Sequence, residues 1–335
     1  MQARALICSR DRTFSIEEVV LADPAPDQVC IRTVCSGVSV GTEFALIRNK
    51  ISWGPYPLCT GYMGTGVIES VGSGVEGYKV GDNVYYRANN SMVLAGGERV
   101  SCVSGGHCSH VVTRPGGMHG IARMIPGVSM ETAAMFVLPA VGLNGVDMAN
   151  PRLGDVVVVH GVGLIGLGVV AACANRGCTV VAVDIDPGQL EKARRLGADV
   201  LIDGRGADVT DAVMAEAPEG ADVVFECTGL PACIDAAIAL CRKGGRFVWQ
   251  GNYGSQPVSL HFLPAHGRQL RMFFPCDDGG PACRRSVIRQ MALGRLDWDS
   301  CLTHRLRPEE APELYREILN GSGGGTVGAV IHWSS

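Results

Sequence analysis

The 335-residue chain has no Cys-x-x-Cys pair, although it carries fourteen cysteines. Thiols scattered in this way make no disulfide framework, zinc ribbon or thioredoxin-type site. Most read as small core hydrophobes, Cys173 within an apolar helix pattern and Cys227 just after a buried-strand pattern. Basic excess is also missing: a formal net charge of -4 offers no electrostatic footprint for nucleic acid or an anionic membrane, so a small or neutral ligand is the expected partner. No apolar run approaches membrane-spanning length. The opening MQARALICSRDRTFSIEE interrupts its apolar stretch with charges and shows no cleavage-site pattern, so no signal peptide is read and a cytoplasmic location is expected. Internal repeats and low-complexity tracts are absent; GSGGG at Gly321–Gly325 is a short turn or loop. With 47% hydrophobic and 19% charged residues the composition is globular, and the length exceeds what one core normally supports, so two domains are expected.

What is present is concentrated in Val156–Asp184, VVVVHGVGLIGLGVVAACANRGCTVVAVD: a buried strand, a glycine turn, an apolar helix, a second strand and an acid. That order is a dinucleotide-binding βαβ unit. A pyrophosphate must lie against backbone N–H groups at a helix N-terminus, where the dipole is positive and a Cβ would block approach. Gly161-Val162-Gly163-Leu164-Ile165-Gly166 supplies this: Gly161 for the tight turn, Gly163 to admit the phosphates, Gly166 to let helix meet strand. Asp184 follows Gly166 by 18 residues, where a carboxylate accepts hydrogen bonds from a ribose diol. A 2′-phosphate would face Asp184 and Asp186, with no arginine immediately beside them in sequence, so NAD is expected rather than NADP.

The first 125 or so residues alternate short strand patterns with Gly and Pro and predict a strongly bent antiparallel β domain. From Ser129 to about Pro275 strand and helix patterns alternate, six strands in all, predicting a complete doubly wound parallel sheet. A helix near Arg284–Leu293, another in PEEAPELYREILNG and a last strand in GAVIHWS follow. The expected plan is an α/β protein with a β domain at 1–127 and 277–335 and a nucleotide domain at 128–276.

This arrangement resembles the medium-chain dehydrogenase/reductase, or alcohol dehydrogenase-like, family over essentially the whole chain. The resemblance rests on DQVCIRTVCSGVSVGTE, on GYMGTGVIESVGSGVEGYKVGDNVY, on the glycine turn with Asp184, and on DVVFECTG followed by GGRFVWQG. It implies a GroES-like antiparallel β catalytic domain joined to a Rossmann domain, with the cofactor in the cleft between them. Cys227, Thr228, Gly251 and Asn252 are then further cofactor-binding positions. It also implies a homodimer or homotetramer.

The chain departs from the zinc-dependent branch of the family, in which a Cys, a His and a second Cys hold the metal. Those positions read Ser39, Tyr62 and Ala140, a set without the chemistry of a tetrahedral zinc site. The structural zinc lobe lacks its four cysteines, since Arg87–Gly106 has one. An alternative metal set would join Cys102, His107, Cys108 and His110, with Glu43 and Cys59 near in space; read as an alternating strand, HCSHVV puts Cys108 and His110 on one face and His107 on the other. The expectation is no metal.

Hydride transfer without a metal still needs a group to move the hydroxyl proton. Tyr62 is the first candidate, its phenol pKa expected to fall beside a cationic nicotinamide. Ser39 and Thr42 are hydroxyls on the same loop, Glu43 is either a base or a loop-fixing carboxylate, and His107 and Asn144 rank lower. The GTE and GYM variants are similar to sugar and cyclitol dehydrogenases and to bacteriochlorophyllide dehydrogenase-like proteins, and Asn89, Asn90, Asn144, Asn252 and His266 would suit a polyhydroxylated ring. The leading expectation is an NAD-dependent oxidoreductase acting on a secondary alcohol or ketone of a polyol. The alternatives are a zinc-free quinone or enoyl reductase, and a nucleotide-bound sensor without chemistry.

Overall fold

The computed structural model of the chain describes residues 1–48, 54–89, 91–206, 208–322, 325 and 328–333. Two compact units emerge, Met1–Phe136 with Cys301–Ser335, and Val137–Ser300.

The first unit is mostly β-structure. Its N-terminal part holds β1 (Gln2–Cys8), β2 (Phe14–Leu21), β3 (Val29–Val38), β4 (Leu58–Cys59) and β5 (Gly64–Val71). Then come β6 (Asn83–Tyr86), β7 (Met92–Leu94), β8 (Arg99–Cys102), β9 (His110–Thr113) and β10 (Ala122–Arg123). Helix α1 (Val40–Ile47) follows β3 directly, and the short α2 (Met130–Ala133) closes the segment. A closed barrel runs β1-β2-β7-β8-β4, beside a sheet in which β3 pairs antiparallel with β5 and β9. The long β3 is buried along nearly its whole length because it has sheet neighbours and core on both sides.

The second unit is doubly wound. It comprises α3 (Val137–Ala149), β11 (Val156–His160), α4 (Leu164–Asn175), β12 (Thr179–Asp184), α5 (Pro187–Arg195), β13 (Val200–Asp203) and α6 (Val209–Glu216). The chain continues through β14 (Ala221–Glu226), α7 (Ile234–Ala239), β15 (Cys241–Trp249), α8 (Phe262–Gly267), β16 (Arg271–Phe273) and α9 (Gly280–Ala292). The sheet order is β13-β12-β11-β14-β15-β16 with every pairing parallel, and the Val-rich strands are buried because helices cover both faces.

The return to the first unit comes at Cys301 rather than at residue 277. Helix α9 stays with the second unit, where Cys276 and Asp277 accept hydrogen bonds from Asn144 of α3 and the Cys283 thiol faces Asp147. The first unit is then completed by β17 (Leu302–Leu306), α10 (Ala311–Leu319) and β18 (Gly328–His332), the last of these pairing with β3. Helix α10 buries Ala311, Leu314, Tyr315 and Ile318, one stripe at helical spacing, against Phe14 and Phe44.

Candidate active site

In the second unit the glycine turn has the predicted anatomy. Gly161 sits at φ +90°, and a Cβ there would meet Thr228 at 2.8 Å. A Cβ on Gly166 would lie 2.1 Å from the Gly161 carbonyl oxygen, so the helix could not close onto the strand. Gly163, at the N-cap of α4, faces open space within 4 Å and leaves room for a pyrophosphate. These residues fit a dinucleotide. Val162 is fully buried, and its N–H donates to Asp184 Oδ2 at 2.7 Å; Leu164 and Ile165 begin the helix half-buried. Asp184 Oδ1 accepts from the Asp186 N–H at 2.9 Å, which ties the acid to the turn it serves.

Asp186 has a further task. Its carboxylate caps α5, accepting from the Gly188 N–H at 2.7 Å. An arginine is also nearby in space although not in sequence: Arg205, two residues past β13, is close enough to feel the Asp186 charge and is clamped by Asp203 at 3.0 and 2.7 Å. At the end of β14 the buried Glu226 organises the next loop by accepting from the Thr228 N–H at 2.9 Å, the Thr228 hydroxyl and the Tyr253 hydroxyl. Cys227 is half-buried there; a Cβ on Gly251 would strike Gly229, and Asn252 is exposed and caps the Gly254 N–H.

The first unit assembles a second constellation. Ser39, 3% exposed, occupies the N-cap position of α1, immediately after β3. Tyr62 donates its hydroxyl hydrogen bond to Ser39 Oγ at 2.6 Å, and the Thr42 hydroxyl also reaches the phenol. The Arg87 guanidinium lies over the Tyr62 ring at 5.6 Å and its Nε donates to the Tyr62 carbonyl at 3.3 Å. Burial pushes the phenol pKa up; the hydrogen bonds with Ser39 and Thr42 and the Arg87 charge offset only part of that. The expected fall is therefore not a property of this site by itself, and the phenol is held as a neutral donor.

Beneath this hydroxyl pair lies a network of fully buried groups. Glu43 Oε1 accepts from the Ser39 N–H at 2.7 Å, while Oε2 accepts from Thr60 at 2.6 Å and Tyr315 at 2.7 Å and lies 3.0 Å from His107 Nε2. On the far side of the imidazole, Nδ1 is 2.8 Å from Ser36 Oγ, which accepts from the Trp333 indole N–H at 2.8 Å. With Ser36 taking that donor, its own hydrogen goes to Nδ1, leaving Nε2–H to face Glu43; this tautomer is assigned from the partners. Burial alone would raise the Glu43 pKa, but the positive pole of the His107 Nε2–H and the hydrogen bonds from His107, the Ser39 N–H and Thr60 outweigh it and hold the carboxyl below its usual range. Gly61, at φ +87°, admits the imidazole: a Cβ there would lie 2.6 Å from the ring.

Of the alternative metal set, only Glu43 and His107 share a side-chain hydrogen bond among the described residues, while Cys59, Cys102 and Cys108 pack in one apolar cluster. Cys108 is fully buried in the barrel core, its burial raising the thiol pKa to about 12, and β9 begins only at His110, which sits at the surface 3.4 Å from Glu69. The predicted alternation across HCSHVV is therefore broken: Cys108 makes a lone bridge to Ala5 before the strand starts. Among the described residues no group of three His, Cys, Asp or Glu side chains could hold a metal ion. Ser39 and Tyr62 offer only hydroxyls, one of them a phenol resistant to ionisation, and Ala140, buried in α3, offers no donor. The zinc of the metal-dependent branch does not fit these residues.

The polar residues expected around a sugar ring are dispersed into structural roles. Asn89 donates to the His110 carbonyl and accepts from the Val112 N–H, Asn144 holds Cys276 and Asp277, and His266 stacks on Phe262. Asn90 lies outside the described residues. Ser36, Thr60, Tyr315 and Trp333 have no counterpart in the sequence reading, and His107 ranked low there, because a tyrosine in an amphipathic helix stripe carries no sign that its hydroxyl meets a glutamate 272 positions away.

Two family models match the chain: the alcohol dehydrogenase GroES-like domain over residues 25–135 and the zinc-binding dehydrogenase domain over 165–291. The chain belongs to the medium-chain dehydrogenase/reductase family, alcohol dehydrogenase type. A sorbitol dehydrogenase of Halalkalibacterium halodurans is 29% identical, covering 95% of this chain and 96% of its own. In fold the chain is similar to a zinc-binding dehydrogenase from Sinorhizobium meliloti 1021 bound to NADP, with TM-score 0.85, 22% identity and 99% of each chain covered. It is also similar to a short chain alcohol dehydrogenase from E. coli CFT073 complexed with NADH, with TM-score 0.84, 20% identity and 99% of each chain covered. No helix among the described residues is long and apolar enough to cross a membrane.

Proposed function

We propose that the protein is an NAD-dependent oxidoreductase interconverting a secondary alcohol and ketone of a sugar, cyclitol or similar polyol, and that it does so without catalytic zinc. The observation that carries this reading is the 2.6 Å hydrogen bond from Tyr62 to Ser39, a proton-conducting pair standing where the metal-dependent branch has two ligands. When bound, the nicotinamide supplies the acceptor or donor of the hydride. The remaining task is to move one proton at the substrate oxygen, and Tyr62 carries it: as a neutral phenol it gives the proton to a forming alkoxide, and Ser39 and Thr42 relay the replacement. Glu43 is better suited to fixing this loop than to acting as base, since both its oxygens are already engaged by donors. The polyol class is supported by the sorbitol dehydrogenase relative. NAD is supported by the Asp184 carboxylate, which keeps lone pairs for a ribose diol and repels a 2′-phosphate, while Arg205 is already held by Asp203.

Tyr62→Phe tests the assignment because it removes only the hydroxyl. kcat should fall by roughly a hundred- to ten-thousand-fold, with NAD affinity nearly unchanged and one titrating limb lost from the pH profile. Elemental analysis of the same preparation should find no stoichiometric zinc. Near-normal turnover in Tyr62→Phe, or activity lost to a chelator and restored by zinc, would overturn the metal-free phenol mechanism.

A further inference from the structure

At the end of the second unit's sheet opposite the glycine turn there is a cavity of about 330 Å³ lined by Arg152, Arg242, Arg246 and Arg271, with Asp155 among them. Its position follows from the topology. Asp155 precedes β11, Arg242 is the second residue of β15, and Arg246, after the register shift in β15, pairs with Arg271 at the start of β16, so the guanidinium groups gather where the regular parallel pairing begins. The dinucleotide turn lies where the strands end.

The charges there do not balance internally. Asp155 accepts from Arg246 at 2.5 Å and Asp222 from Arg242 at 2.6 Å, which leaves two of the four guanidinium groups without a carboxylate among the described residues. Arg271 has only the Gly244 carbonyl at 3.3 Å, and Arg152 has no side-chain partner among the described residues. Arg246 is 8% exposed and spends its terminal nitrogens on Asp155 and on the carbonyls of Ala149 and Asn150, yet its Nε is buried and finds no acceptor. That Nε is closed off from solvent, so what Arg246 offers the cavity is its positive charge, while Arg152 and Arg271 offer donors that an oxyanion can reach. Planar guanidinium forks converging from several directions match a tetrahedral oxyanion better than a single carboxylate.

We propose that this cavity binds a phosphate-class oxyanion, as inorganic phosphate or as the phosphate of a monoester, at a site separate from the dinucleotide turn. The exposed Arg152 and Arg271 are its donors, and the buried Arg246 adds positive charge beneath them.

Inorganic phosphate and glycerol 3-phosphate should each be titrated calorimetrically into the full-length protein at constant ionic strength set with chloride, with NADH present to occupy the glycine turn. Saturable binding is expected, weakened at least tenfold in Arg152→Ala/Arg271→Ala, both exposed positions whose loss leaves the Arg246–Asp155 pair intact. Tighter binding of the ester assigns the natural ligand to a phosphomonoester; equal binding assigns it to free phosphate. No saturable binding in the unaltered protein overturns the proposal. So does unchanged affinity in the double variant, which would place the anion elsewhere, or a changed sedimentation coefficient with unchanged phosphate affinity, which would make the arginines a contact between copies of the chain.

Discussion

The glycine turn of the second unit and the Glu43 network of the first are both polar constructions set on strand ends, but they are specified differently. The turn is largely local: apart from Thr228, which crowds Gly161, and the Asp186 N–H, the residues that shape it lie between Val156 and Asp184, and its rules are steric, so a Cβ at Gly166 meets a carbonyl oxygen within the same motif. The network draws on β3, α1, the segment before β5, the segment before β9, α10 and the residue after β18, and apart from the Ser39–Glu43 contact its hydrogen bonds join residues far apart in sequence. The turn therefore tolerates change in the rest of the chain, whereas the network holds only if the C-terminal return docks correctly.

The comparison is broken most severely at Glu43. Glu43→Ala strips the acceptor from four donors inside a dry core, and since each buried donor left unpaired costs roughly 1–3 kcal/mol, the total should reach at least about 3 kcal/mol. Chemical denaturation should show a loss of that order, and Tyr62–Ser39 geometry should suffer with it because the Ser39 N–H loses its anchor. NADH binding to the folded protein should be nearly unchanged, since the turn uses none of these residues. Equal losses of stability and of nucleotide affinity would show that the two regions are not independent.

A smaller effect is expected on the other side. Asp184→Ala should weaken NAD by roughly 1.5–3 kcal/mol, the worth of charge-assisted hydrogen bonds, and should narrow the preference for NAD over NADP. Titration of both coenzymes measures this. Tighter binding of NADP than NAD by the unaltered protein would reverse the coenzyme assignment and turn attention to Arg205.

The same contrast explains how far the sequence could be read. The strand TVVAVD and the last strand in GAVIHWS stand where their patterns placed them, because hydrophobic period and punctuation are local signals. The alternation does not mark every boundary: α7 ends at Ala239, and CRKG at 241–244 is drawn into β15 beside β14. Asp186 read as a carboxylate facing a 2′-phosphate, and its place before Pro187 at a helix start gives it a capping task as well. Tyr62 and Ser39 were legible through resemblance; Tyr315 and Trp333 were not, since only tertiary packing brings their polar atoms to Glu43 and Ser36.

The smallest and most selective test uses acid. Glu43 has its folded-state pKa depressed below the ordinary 4.5, so its contribution to stability is fully present above that value and is lost as pH falls through the folded pKa. In the unfolded chain the carboxyl takes up its proton first, near 4.5, and from there downward protonation favours unfolding. Glu43→Gln cannot titrate, and it keeps one oxygen acceptor and most of the volume. Its deficit relative to the unaltered protein should therefore be constant from neutrality to about pH 5 and should shrink below pH 4.5. Asp155, whose carboxyl is also held low by its Arg152 N–H and Arg246 contacts against the opposing effect of burial, titrates in both proteins and cancels in the difference. Unfolding free energies of the two proteins across pH 3–7 check this. A deficit that stays constant down to pH 3 would mean that Glu43 is not ionised in the native network, and the hydrogen bonds drawn to it from Ser39, Thr60 and Tyr315 would then have to be reassigned.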